Sequence, residues 1–180
     1  MPAKPTPLQQ ARDTFIAQWG ALGSSWGINR TMAQVHAFLL AHNGPVDTNA
    51  AMEQLQISRG NANMNLRELV EWGLVRSFFV PGDRKEYFEA EKDVWKIFCA
   101  ISRERKRREI EPAGKVLREC EQISKPDRSK EAESFRSVIR SLADFVELSD
   151  SVMENVAKRE RSKVVPLIIK ALGLGRRKSK

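Results

Sequence analysis

Apolar residues recur at three- and four-residue steps through most of the chain, which is the period of an amphipathic helix. Residues 8–22 and 30–42 carry two such stripes, and Asn29 stands where it can cap the second helix. The most regular stripe runs from residue 131 to residue 156. The chain is therefore predicted to be mostly helical. One face of the first helix gathers Leu8, Ala11, Phe15, Trp19 and Leu22.

The middle of the chain has the pattern of two helices joined by a tight turn. Gly44-Pro45 breaks the preceding helix, and Asp47 or Thr48 can cap a short one. Ser58 can cap a longer helix that ends at Gly73, where a glycine accepts the left-handed conformation. This order is the helix-turn-helix pattern. The inward stripe of the second helix is Ala62, Leu66, Leu69 and Val70.

A β-hairpin is predicted directly after the second helix. Residues 74–80 are rich in Val and Phe, residues 84–90 alternate in polarity, and Pro81-Gly82 between them has turn chemistry. A hairpin in this position is a wing, with Arg84 and Lys85 near its tip. The predicted fold is mostly α, a winged helix-turn-helix with a two-stranded wing plus a helical dimerisation region.

The start of the second helix is rich in the side chains that read DNA bases. Arginine pairs bidentately with guanine and asparagine with adenine, and Arg59, Asn61 and Asn63 are the candidates for base contact. Gly60 lets the helix approach another surface closely. The alternative is an ordinary polar surface helix. The predicted DNA-binding residues are Thr48, Asn49, Ser58, Arg59, Gly60, Asn61, Asn63, Arg67, Arg84 and Lys85.

The other predicted contacts have supporting roles. Ser58 and the helix start would hold a phosphate, and Thr48 and Asn49 would hold backbone phosphate from the preceding helix. Arg84 would reach the minor groove, where an A·T-rich stretch concentrates negative potential. Lys85 is a phosphate contact at most.

Three segments carry a resemblance to a known family: WGINRTMAQVHAFLL, LQISRGNANMNLRELVEWGLV and PGDRKEYFEAEKDVW. Over residues 19–112 the chain resembles the glycine-betaine regulator (GbsR-like) branch of the MarR transcription factors. The resemblance implies a homodimeric DNA-binding repressor or activator that recognises a pseudo-palindromic operator. It also implies a small effector, such as a quaternary ammonium compound, between the winged helix and the dimer helices.

An aromatic cage attracts a quaternary ammonium ion through cation–π interaction. Four aromatic side chains flank the expected junction, namely Trp19, Trp26, Trp95 and Phe98. The alternative is that these rings are part of the core.

The C-terminal half is predicted to hold long helices. A helix over residues 91–111 carries a basic run at 103–108, which fits a solvated face, DNA phosphate contact or contact with a partner's acids. Pro112 must kink that helix or open a new one. The helix predicted over residues 131–156 has a heptad seam, which requires a facing helix from its own chain or from a second copy. The seam residues are Phe135, Val138, Leu142, Phe145, Ser149, Val152 and Val156.

The composition of the chain narrows the range of possible functions. The 180 residues are 41% hydrophobic and carry a net charge of +8, which favours a polyanionic partner. Two cysteines give no disulfide framework, so a reducing cytoplasm is expected, and no segment is apolar enough for a membrane span. Neither enzyme motifs nor metal-ligand spacing is present, so we expect neither catalysis nor a cofactor.

Three regions follow from these patterns. Residues 1–28 form an N-terminal helix assigned to the dimerisation region, and residues 29–91 form the winged helix-turn-helix DNA-binding domain. Residues 92–180 form a helical dimerisation region with a basic C-terminal tail. The rival functions are a nucleic-acid binder without sequence preference and a winged helix used for protein contact.

Overall fold

The computed structural model describes residues 5–158, and the side chains of residues 5–155. The chain divides into two compact units with a boundary between Ile97 and Phe98. The elements are α1 Pro7–Ser25, α2 Arg30–Ala41, β1 Val46–Asp47, α3 Thr48–Leu55, α4 Arg59–Glu71, β2 Val75–Phe79, β3 Glu86–Ala90, α5 Val94–Arg105, a π-helical segment Lys106–Ile110, α6 Glu111–Ser124 and α7 Lys130–Lys158.

Helix α2 lies at the centre of the first unit. Val35 and Ala37 are fully buried on it, and Asn29 caps it by accepting the N–H of Met32 at 3.1 Å, as the sequence predicts. Helix α1 packs on α2 through small residues. A Cβ atom added at Gly23 would lie 2.5 Å from the Cβ of Ala33, so the two helices approach more closely than any larger residue allows.

The apolar face predicted on α1 is not the face that packs on α2. Ile16, Gly20 and Gly23 are buried, whereas Leu8 and Leu22 are exposed and Phe15 is half-buried. Helical periodicity locates an apolar stripe but does not say which of two stripes the chain itself covers.

The helix-turn-helix is formed by α3 and α4. Asp47 caps α3 by accepting the N–H of Ala50 at 2.9 Å, and Ser58 caps α4 by accepting the N–H of Asn61 at 3.3 Å. Gln56 turns the chain between the helices in the left-handed conformation, with a φ of 53°. The predicted stripe of α4 is confirmed at Ala62, Leu66 and Leu69, which are buried, while Val70 is half-buried.

A small antiparallel sheet completes the first unit. The hairpin strands β2 and β3 pair from Val75 opposite Ala90 to Phe79 opposite Glu86, and Gly82 in the turn has a φ of 85°. Both strands are shorter than predicted. A third strand, β1, pairs with β3 on its other edge and was not predicted because two residues leave no periodic signal. The two-stranded wing is therefore part of a three-stranded sheet.

Lys92 joins the end of the sheet to the end of α2. Its ammonium donates to the main-chain oxygens of Leu39, Leu40 and His42 at 2.8, 2.7 and 3.1 Å. These carbonyls belong to the last turn of α2, where a cation also suits the helix dipole.

The predicted helix over residues 91–111 is interrupted in the structure. It begins at Val94 and passes into a π-helical segment over Lys106–Ile110, after which α6 starts with Pro112 in its first turn. Because proline lacks an N–H and crowds the preceding turn, a widened turn immediately before it relieves the clash. The break expected at Pro112 is therefore a π-helical segment followed by a new helix, α6.

Part of the basic run is bound within the second unit. Arg107 and Arg108 both pair with the buried Glu104, and Lys106 pairs with Asp150 at 3.1 Å and Glu154 at 3.6 Å. These ion pairs give the run a structural role beyond a solvated face.

Helices α6 and α7 pack together in the second unit. A Cβ atom at Gly114 of α6 would lie 3.5 Å from Cγ1 of Val146, and Ile139 is buried on α7. The heptad seam of α7 lies beside this contact and is exposed, with Phe145 at 66%. The exposed seam residues are Phe135, Val138, Leu142, Phe145 and Val152, and Ser149 is half-buried.

Candidate nucleic-acid interface

The first turn of α4 presents a cluster of polar side chains to solvent. Ser58, Arg59, Gly60 and Asn63 are exposed, and Asn61 is half-buried. A Cβ atom at Gly60 would meet nothing within 4 Å, so the surface there is open. The amino end of a helix also carries unpaired N–H groups and a partial positive charge. This turn is therefore suited to a polyanion.

The start of α3 holds two of these side chains in place. Arg59 donates from Nη2 to Oδ1 of Asn49 at 2.7 Å, and Thr48 donates its hydroxyl to Oδ1 of Asn63 at 3.1 Å. The structure joins these predicted residues in two hydrogen-bonded pairs across the helix-turn-helix.

Asn65 is a buried member of the same cluster that the sequence did not single out for a role. It is 1% exposed, and its Nδ2 donates at 2.7 Å both to the main-chain oxygen and to Oδ1 of Asn61. Its spacing of four residues from Asn61 is the only signal of this contact in the sequence.

Arg67 connects α4 to the wing. Its guanidinium donates to both carboxylate oxygens of Glu86, from Nη1 at 3.0 Å and from Nη2 at 2.5 Å. Glu86 begins β3 and was not predicted to take part. The fork-like geometry of arginine favours such a two-point pair.

The wing tip is ordered by its own hydrogen bonds. Asp83 accepts the main-chain N–H of Lys85 at 2.9 Å, which is the main cause of its lowered pKa, and the Tyr87 hydroxyl at 2.8 Å. Lys85 pairs with Asp47 at 2.7 Å, which lowers the pKa of Asp47 and raises that of Lys85. Within residues 5–158, Arg84 is exposed and makes no ion pair, so its charge is available to a ligand.

No family model matches the chain. It is 23% identical over 169 residues to the HTH-type transcriptional repressor GbsR of Bacillus subtilis (strain 168), covering 89% of this chain and 93% of the relative. It is also 23% identical over 96 residues to the putative HTH-type transcriptional regulator YvaV of the same organism, covering 53% of this chain and 54% of that one.

A solved structure shares the architecture. It is described as "Crystal Structure of a transcriptional regulator" and matches with a TM-score of 0.64 at 20% identity, over 85% of this chain and 99% of the other. This is a winged helix-turn-helix fold. The predicted fold class is therefore confirmed, and the polar cluster lies at the start of α4, the second helix of the helix-turn-helix.

The structure brings together two of the four rings expected to bind an effector. Trp19 and Trp26 meet edge to face with centroids 6.0 Å apart, and Phe15 lies 5.3 Å from Trp19. The role expected of Trp95 and Phe98 stays a prediction.

A separate cavity of about 470 Å³ lies among α1, α2 and α3. Phe38 and His42 line it together with the charged side chains Arg12, Asp13 and Glu53. The sequence did not indicate it, because its walls come from three helices whose packing sets their spacing.

Neither a metal site nor a membrane-spanning helix is found in the described part of the chain. Among residues 5–158, no group of three or more His, Cys, Asp or Glu side chains is placed to hold a metal ion. None of the helices over the same residues is long and apolar enough to cross a bilayer.

Proposed function

We propose that the chain is a homodimeric, DNA-binding transcriptional regulator of the GbsR-like branch of the MarR factors. In each subunit α4 enters the major groove and the β2–β3 hairpin reaches the adjacent minor groove. The similarity to the GbsR repressor over 89% of the chain supports this proposal, as does the shared fold.

The observation that carries the proposal is the preorganised polar cluster on the first turn of α4. Arg59 and Asn63 are exposed yet held by Asn49 and Thr48, so they lose little side-chain freedom when they meet DNA. A surface helix with no ligand has no need of side chains fixed in this way. The open surface at Gly60 lets the helix lie close to the base edges.

The wing supplies the second contact in this proposal. Arg84 would enter the minor groove and Lys85 would lie near a phosphate. Thr48, Asn49 and Ser58 would contact the backbone that borders the major groove.

The exposed seam of α7 supports dimerisation. A row of large apolar side chains at heptad spacing calls for a facing helix, and the described chain leaves this row uncovered. Two subunits related by a two-fold axis read two half-sites, which a single winged helix cannot do. The N-terminal helix, residues 1–28, is also assigned to dimerisation, and the exposed apolar side chains Leu8 and Leu22 of α1 support this.

The proposal includes regulation by a small quaternary ammonium effector. The edge-to-face pair Trp19–Trp26 offers two of the walls that such a cation needs. Titration of choline against tryptophan fluorescence tests it, and an unchanged spectrum at saturating choline removes this part alone.

Light scattering combined with DNA binding tests the whole proposal. Phe145→Glu places a charge in the α7 seam and is expected to give a monomer that binds a duplex weakly. Ser137→Glu places the same charge at an exposed position of α7 outside the seam and is expected to leave both properties unchanged. A dimeric Phe145→Glu variant contradicts the α7 seam as the dimer interface, and a monomeric wild type contradicts the dimer itself. A wild-type protein that binds no duplex contradicts the function.

A further inference from the structure

We propose that Asn65 locks the side-chain amide of Asn61 so that it offers only hydrogen-bond donors to DNA, and that Asn61 therefore selects guanine rather than adenine. This inference rests on the proposed function, because it concerns which base the recognition helix prefers.

The orientation of both amides follows from one main-chain atom. The backbone oxygen of Asn61 only accepts hydrogen bonds, so the Asn65 atom 2.7 Å from it must be the nitrogen Nδ2. That same nitrogen lies 2.7 Å from the side chain of Asn61 and must meet its oxygen there. The amide nitrogen of Asn61 is therefore the atom left to point away from Asn65.

Recognition of adenine by asparagine requires the amide oxygen as well as the amide nitrogen to be free. The bidentate pair uses the amide nitrogen as donor to N7 and the amide oxygen as acceptor from the N6 amine, both at the base edge. In Asn61 the amide oxygen is directed to Asn65, which lies one turn further along the helix. Guanine presents two acceptors, N7 and O6, and needs only the donor group that Asn61 has free.

Burial of Asn65 suggests that the lock has a purpose beyond packing. The side chain is 1% exposed on the apolar face of α4, and within the described residues its Oδ1 accepts no hydrogen bond. An unsatisfied buried carbonyl is unfavourable, and a leucine of similar size would fill the same space without that penalty. Unlike leucine, Asn65 can form the two hydrogen bonds to Asn61.

The neighbouring side chains also present mainly hydrogen-bond donors. Arg59 and Arg67 carry donors only, and the oxygen of Asn63 already accepts the Thr48 hydroxyl. The start of α4 is thus rich in donors, which matches the acceptor edges of guanine.

Selection from random duplexes tests the inference on the full-length protein. The wild type is expected to enrich guanine at one position of each half-site. Asn61→Asp keeps the contact with Asn65 but turns an acceptor toward the base. It is expected to change that position to cytosine, whose N4 amine is a donor. Asn63→Asp is the matched control and is expected to leave that position as guanine.

A second variant tests the lock itself. Asn65→Leu frees the amide of Asn61, so the preference for guanine over adenine, of the order of tenfold for a bidentate contact, is expected to fall toward one. Thermal unfolding establishes that the variant is folded, and Asn61→Asp decides alone where it is not.

The two proposals fail in different ways. A wild type that enriches adenine at the position that Asn61→Asp alters overturns this inference, and so does an Asn61→Asp variant with the wild-type preference. The regulator function stands in both cases. A wild type that enriches no sequence instead contradicts the proposed function.

Discussion

Arg67 of α4 and Glu86 of β3 form a two-point ion pair, with Nη1–Oε1 at 3.0 Å and Nη2–Oε2 at 2.5 Å. The pair fixes the wing relative to α4 within the first unit. It also occupies an arginine that the sequence predicts at the DNA interface. In the proposed complex a DNA phosphate would compete with Glu86 for the same guanidinium.

Removal of the Glu86 charge is expected to strengthen DNA binding. Glu86→Gln releases Arg67 to a phosphate, so affinity should rise for all duplexes and the salt slope should steepen by up to about 0.9. Stability should change by no more than about 1 kcal/mol, because the pair is partly exposed. Fluorescence anisotropy across a salt series measures both quantities.

Glu89→Gln is the control for this prediction. Glu89 lies on the same strand and pairs with Arg76 at 2.5 Å, but Arg76 belongs to β2 and not to the recognition helix. Equal effects of the two substitutions would mean that general charge, rather than release of Arg67, governs binding.

Loss of Arg84 is expected to weaken specific binding. Arg84→Ala removes the exposed cation at the wing tip, so affinity falls and the salt slope becomes shallower by about 0.9. Arg76→Ala removes the same charge from the body of the hairpin and should have a smaller effect. An unchanged slope for Arg84→Ala, measured by anisotropy, would remove the wing from the interface.

Two glycines in helices are expected to respond oppositely to alanine. Gly60→Ala adds a methyl group in open space, so the free energy of unfolding should rise by up to about 1 kcal/mol. The same methyl group would stand between α4 and DNA and should weaken binding about tenfold. Thermal unfolding and anisotropy separate the two effects.

Gly23→Ala provides the contrast. The added methyl group would lie 2.5 Å from the Cβ of Ala33, so α1 and α2 must move apart and stability should fall by about 1–3 kcal/mol. A gain in stability at Gly23 would contradict the close packing of these helices, and unchanged DNA binding at Gly60 would contradict the approach of α4.

Acid is expected to destabilise the first unit through His36. Burial, with a smaller contribution from the charge of Lys92, lowers the pKa of this histidine to about 4 from an unfolded value of 6.5. The unfolded chain takes up the proton first as the pH falls, so stability present above pH 6.5 is lost toward pH 4. The difference amounts to about 3 kcal/mol.

Urea unfolding at several pH values measures this loss. His36→Gln cannot take up the proton and should lose about 3 kcal/mol less than the wild type over the same interval. Parallel stability curves for the wild type and His36→Gln would show that another group causes the acid sensitivity.

Features set by neighbouring residues could be predicted from the sequence. The capping roles of Asn29 and Ser58 depend on a side chain reaching an N–H three residues away, and the turn at Gly82 depends on a positive φ. These local requirements also give the order of helices and the wing, which is why the fold class is confirmed.

Features set by tertiary packing could not be predicted. The burial of Asn65 and the pairing of Glu86 with Arg67 depend on how α4 lies against the rest of the first unit. The strand β1 exists only because β3 offers it a partner. The candidate site was therefore predicted residue by residue, while its hydrogen-bond network was not.

The most direct measurement is selection by the wild-type protein from a pool of random duplexes. Two subunits that each present the first turn of α4 should enrich an inverted repeat, with half-sites about one helical turn apart. Enrichment of a single unpaired motif would contradict the two-fold arrangement, and no enrichment at all would contradict base reading by α4.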